Sequence, residues 1–79
     1  MRFSYDPQYN IAFIRFKSKS EEVEAIKISD EMVVDMATDG TVYGIELLNA
    51  NDQLRREDEG KLLIINEATG ETIDIPFAI

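Results

Sequence analysis

Asp35, Asp39 and Glu46 are the residues whose types and spacing come closest to doing chemistry. With Gly40 and Val42 they fall at positions 1, 5, 12, 6 and 8 of the EF-hand calcium loop, where oxygen ligands surround one ion. The third position is Ala37, which brings no side-chain oxygen. The flanks are β-branched rather than helical, and an Asp-Gly step between two such arms is a strong hairpin signal. Gly40 accepts the positive φ of a tight reversal, and Asp39 can hydrogen-bond its own backbone there. Asp35 and Glu46 could also face each other across the two arms, as a pair of carboxylates must for acid–base work. The plainer reading is two solvated carboxylates, or one of them paired with Arg15. No catalytic residue, metal or cofactor is expected.

The rest of the composition narrows the chemistry further. Cysteine and histidine are absent, which removes disulfides, thiolate metal sites, the commonest transition-metal ligand and the usual general base near neutral pH. Sixteen acidic residues against eight basic ones leave a formal charge of −8. Nucleic acid and anionic membrane surfaces demand the opposite field, so neither is an expected partner. Tyr5, Tyr9, Phe13, Phe16 and Tyr43 lack a basic groove that would make them a base-stacking platform, and are read as core and interface aromatics. The acidic surface keeps a small protein soluble or complements a basic protein partner. No apolar run approaches the roughly 20 residues of a membrane span. The opening Met1-Arg2-Phe3-Ser4-Tyr5-Asp6 lacks the apolar core of a signal peptide, so a cytoplasmic location is expected.

The elements that would carry these residues are strands. Phe3 and Tyr5 alternate with polar neighbours, Asp6-Pro7-Gln8-Tyr9-Asn10 is a turn, and Ile11 to Lys17 sets Ala12, Ile14 and Phe16 against Ile11, Phe13 and Arg15. Val23 to Ile28 alternates imperfectly, and Ser29-Asp30-Glu31 reads as a turn. Met32, Val34 and Met36 then share a face of the first arm, and Tyr43, Ile45 and Leu47 a face of the second. Gly44, in mid-strand, marks a bulge or a close backbone approach. The stretch from Asn49 to Gly60 is polar and predicts a short helix or a charged loop, capped by Asn49 or Asn51, carrying Leu54 and stopped by Gly60. A last hairpin joins Leu62-Leu63-Ile64-Ile65 to Thr72-Ile73-Asp74-Ile75. Four consecutive aliphatic residues predict burial on both faces, in a central strand or across a subunit contact. Pro76 places the last strand at an edge or at its own end.

Two blocks together carry a resemblance. Tyr5-Asp6-Pro7 is followed by Ile11-Ala12-Phe13-Ile14-Arg15-Phe16. Val33-Val34-Asp35 is followed by Asp39-Gly40 and Val42-Tyr43-Gly44-Ile45-Glu46-Leu47-Leu48. In order and spacing, residues 1–52 resemble the small prokaryotic family called domain of unknown function 2283. The resemblance brings no established activity. Some members look like small partners encoded beside toxin-like genes, which implies an interaction role. The final hairpin lies outside it.

The expectation is therefore one domain of 79 residues, with residues 1–52 as a β core and 61–77 as an added hairpin. Its class is mainly β, an antiparallel meander of five to seven strands with a short helix or charged loop at about 50–58. A chain this short buries only about 60–65% of its unfolded surface. Without disulfide or metal, self-association is the remaining remedy, so a homodimer or higher oligomer is expected, with Leu62, Leu63, Ile64 and Ile65 at its interface. The expected function is a noncatalytic protein-interaction module of antitoxin-like kind. The alternative is a small-ligand or divalent-metal-binding protein that uses the carboxylates Asp35, Asp39 and Glu46.

Overall fold

Four reversals among the described residues are each held by a short polar side chain folded onto nearby backbone. The Asp6 carboxylate accepts from the Gln8 N–H at 2.9 Å, the Ser29 hydroxyl from Glu31 N–H at 3.1 Å, Asp39 from Thr41 N–H at 2.9 Å, and Asn66 from Ala68 N–H at 3.0 Å. These contacts give the backbone at each corner a partner that no ladder supplies. The computed structural model describes residues 1–18 and 22–77. Between the corners lie β1 (Arg2–Asp6), β2 (Ile11–Arg15), β3 (Val23–Ser29), β4 (Met32–Ala37) and β5 (Val42–Leu48). A short helix α1 (Ala50–Arg55) and a 3-10 turn (Asp58–Gly60) lead into β6 (Lys61–Ile65) and β7 (Thr72–Pro76).

The first five strands form one antiparallel sheet in the order β1-β2-β5-β4-β3, and β6 and β7 form a separate two-stranded sheet. The mainly antiparallel β class with one short helix is thus what the chain adopts. The meander runs in two pieces, β1–β2 and β3–β4–β5, and the second returns so that β5 pairs with β2. Val23 to Ile28 does form a strand, at an edge and largely exposed.

Register sorts the side chains. Tyr5 opposes Ala12, Ala12 opposes Leu47 and Leu47 opposes Met32, while Phe3, Ile14, Ile45, Val34 and Ile26 follow one another across the sheet. That face is apolar along these rows, with Glu24 opposite Met36 at its β3 edge. Helix α1 covers one end of it, where Ala12, Ala50 and Leu54 are buried with Tyr5, Leu47 and Phe77 packed round them. The register shift between Asp35 and Met36 against Gly44 and Val42 is the predicted irregularity at Gly44.

The helix is capped differently from expectation. Asn49 occupies the N-cap position in a left-handed conformation (φ 51°), and its side chain makes no capping bond. The cap comes from the β1–β2 corner instead. The Asn10 side-chain oxygen accepts from Asn51 N–H at 2.8 Å, its carbonyl accepts from Ala50 N–H at 3.0 Å, and its amide donates to the Asn49 side chain at 3.2 Å. Nor does Gly60 end α1, which stops at Arg55; Gly60, at φ +73°, closes the 3-10 turn that follows.

The largest departure concerns Leu62–Ile65. This segment is not a central strand of the main sheet but half of an isolated hairpin, with Leu62, Ile64 and Ile65 exposed. The physical reason is that all five sheet strands are supplied by residues 2–48, and the ladder has no vacancy inside it.

Candidate functional site

The carboxylates singled out by type are scattered. Asp35 and Glu46 share the face opposite the helix, where Asp35 sits between Ala25 and Gly44, and Glu46 between Val33 and Phe13. They are diagonal neighbours rather than a facing pair. Asp35 is only 1% exposed, the one charged residue buried among the described residues. Asp39 lies at the far tip of the β4–β5 reversal, where Gly40 (φ +90°) donates to the Ala37 carbonyl. The hydrogen bond from Thr41 N–H, then the Thr41 hydroxyl, hold the Asp39 carboxyl below its ordinary range. Its oxygen thus serves the turn. Among the described residues, no three of the ligand-forming types gather as a cation site.

Gly44 explains the packing around Asp35. A Cβ there would stand 2.8 Å from the Phe13 ring tip and 2.9 Å from the Ile14 carbonyl oxygen. The Phe13 ring therefore fills the space that any side chain at 44 would need. Beside it Ser4, Phe13, Arg15 and Glu46 line a shallow depression. Among the described residues no ion pair joins Arg15 to Glu46. The aromatics form no single platform either. Tyr5 packs on the helix side, Phe13 lies on the opposite face, and Tyr9 projects from a turn at 68% exposure.

Helix α1 is tied to the β3–β4 corner by Arg56, which pairs with Asp52 at 2.7 Å and Glu31 at 3.2 Å. The hydrogen bonds to Asp52 and then to Glu31 raise the guanidinium pKa. Gln53 adds donor bonds to the carbonyls of Glu31 and Leu48. These cross-links hold one end of the apolar sheet face shut.

The other end stays open. In the hairpin Leu62 opposes Ile75 and Ile64 opposes Ile73, so four aliphatic side chains share one face. All four are exposed, Ile73 to 60%. Leu62 and Ile64 form one wall of a groove of about 490 Å³, and Met1, Phe3, Ile14 and Phe16 form the rest. Phe77 bridges the walls at one end, its ring 5.2 Å from that of Phe3. Sequence reasoning singled out Leu62–Ile65 but not Ile73 and Ile75, although their alternation about Asp74 was the signal that completes the face. Phe16 was read as a core or interface aromatic, whereas Phe3 and Met1 were not singled out as lining residues, because nothing local says which strand a distant hairpin will lean on.

A family model described as protein of unknown function (DUF2283) matches residues 2–51, the sheet and the start of the helix, and stops short of the hairpin. No curated protein and no solved structure matches the chain. Among the described residues no helix is long and apolar enough to cross a membrane.

Proposed function

From the premise that the chain belongs, through residues 2–51, to the family of proteins of unknown function DUF2283, we propose that it is a noncatalytic protein-interaction module. The observation that carries this reading is the half-covered apolar face. Among the described residues only Ala12, Ala50 and Leu54 are buried apolar side chains, whereas a dozen large apolar ones are exposed. Of these, Met1, Phe3, Phe16, Leu62 and Ile64 line one groove, and contiguous apolar surface of that kind marks contact sites for protein.

The chemistry available supports a binding rather than a catalytic role. The chain has no histidine or cysteine, Asp39 is engaged in its turn, and Asp35 is enclosed. The charge of −8 makes a basic protein the natural foreign partner, as for an acidic antitoxin-like protein in the cytoplasm. Purification of the tagged chain from its own cells at native abundance tests the reading. The expected result is a stoichiometric protein companion, a second copy or a basic protein, whose capture weakens with salt in the latter case. Recovery of the chain alone, as a monomer at micromolar concentration, would overturn it.

A further inference from the structure

We propose that the groove between the sheet and the β6–β7 hairpin is closed by the same hairpin of a second copy, in a two-fold pair. The inference rests on the interaction-module reading and names its partner.

Three observations carry it. The first is area. The chain exposes 5907 Å², whereas a compact monomer of its 9.0 kDa mass exposes about 4,900 Å². The surplus, about 1,000 Å², matches the roughly 800 Å² that each partner buries in a stable standard interface. The radius of gyration agrees, at 14.1 Å against about 11.6 Å for a compact chain of this length.

The second is the hairpin itself. A two-stranded hairpin is marginal in water unless its apolar face is packed. Here Leu62, Ile64, Ile73 and Ile75 form that face, and the chain's own sheet covers it only in part.

The third is charge. The apolar patch is uncharged, yet its borders are not. At the open end of the sheet Arg2 and Arg15 are direct cross-strand partners on the face turned from the groove, with Lys17 and Met1 lining the same corner. Like charges directly opposite are destabilising in a sheet. Among the described residues none of the ion pairs uses Arg2, Arg15 or Lys17, although the Lys17 ammonium lies 5.3 Å from the centre of the Tyr43 ring. The hairpin turn carries Glu67 and Glu71, likewise outside those pairs, while Asp74 lies on the hairpin face turned from the groove. One chain thus holds both a basic sheet end and an acidic hairpin tip, which a self-complementary two-fold pair can bring together. Each acidic hairpin meets the basic corner of the other copy.

Sedimentation equilibrium of the full chain, from about 1 to 100 μM, should give twice the chain mass at the upper end. Ile64→Asp with Ile73→Asp should raise the dissociation constant at least about a hundredfold, because each buried carboxylate is left unpaired. Circular dichroism checks that this variant remains folded. Should it unfold, charge reversal decides: Arg2→Glu with Arg15→Glu, and separately Glu67→Lys with Glu71→Lys, each weaken self-pairing, and an equimolar mixture restores it. A chain of single mass throughout the range overturns the proposal, as does a pair that survives in folded Ile64→Asp/Ile73→Asp, or a mixture that fails to restore pairing. A monomer that nevertheless holds a foreign protein overturns the pair and leaves the interaction reading standing. A monomer that holds nothing removes both.

Discussion

The two ends of the apolar sheet face are built from similar residues and end in opposite states. At one end Ala12 and Leu47 meet Ala50 and Leu54, and the contact is dry. At the other, Phe3, Ile14 and Phe16 meet Leu62 and Ile64 across open space. The difference lies in how each cover is anchored. Helix α1 is fixed at both termini, by Asn10 at its start and by Arg56 and Gln53 to the β3–β4 corner at its end. Among the described residues the hairpin is held only at its base, where Phe77 packs on the Phe3 ring and against the Ala12–Ala50–Leu54 cluster. Apolar character draws a cover onto a sheet, but polar and backbone contacts decide how closely it sits.

That contrast yields a graded set of expectations. Leu54→Ala, at the closed end, should cost about 2–3 kcal/mol of unfolding free energy in urea, from lost burial plus the cavity left behind. A loss below about 1 kcal/mol would mean that the closed end is as loose as the open one. Gly44→Ala should cost about 1–3 kcal/mol, because both the Phe13 ring and the Ile14 carbonyl must move. Pairing it with Phe13→Leu should recover part of the loss, and no recovery would show that the backbone contact dominates.

Asn10→Ala removes the anchor of α1 and should cost about 1 kcal/mol, with faster hydrogen exchange at Ala50 and Asn51. Asn49→Ala should cost less, since both positions carry the strain of a positive φ while the Asn49 side chain makes no cap bond and only accepts from the Asn10 amide. Ile65→Ser, on the hairpin face turned from the groove, should change stability by under about 0.5 kcal/mol. A larger loss would place Ile65 in a buried contact. The smallest effect belongs to Asp39. Its folded-state pKa is depressed, so its stabilising contribution is present above the ordinary aspartate value near ~3.9 and fades as pH falls through the folded value. Asp39→Asn should melt with a shallower decline than the parent chain in acid titration below about pH 4.

Much of this molecule is written in neighbouring residues. Asp6-Pro7, Ser29, Asp39-Gly40 and Asn66 each specify a reversal through a bond to backbone two residues on. The alternation between the reversals specifies which side chains share a face, so β1 to β5 and the two-block family pattern were legible. The candidate carboxylates were legible as types but not as a site. Period-two alternation put Asp35 and Glu46 on one face, while only pairing showed them diagonal to each other with Asp35 enclosed.

What the sequence determined on its own is local: where the chain turns, where it extends, which face is greasy, and how negative the surface is. The tertiary structure alone decided matters of partnership. It placed β5 beside β2, let Asn10 cap a helix 41 residues away, and left Leu62–Ile65 outside the main sheet. The physical reason is reach. Turn bonds and side-chain alternation act between residues a few positions apart, whereas burial depends on which distant surface arrives to exclude water.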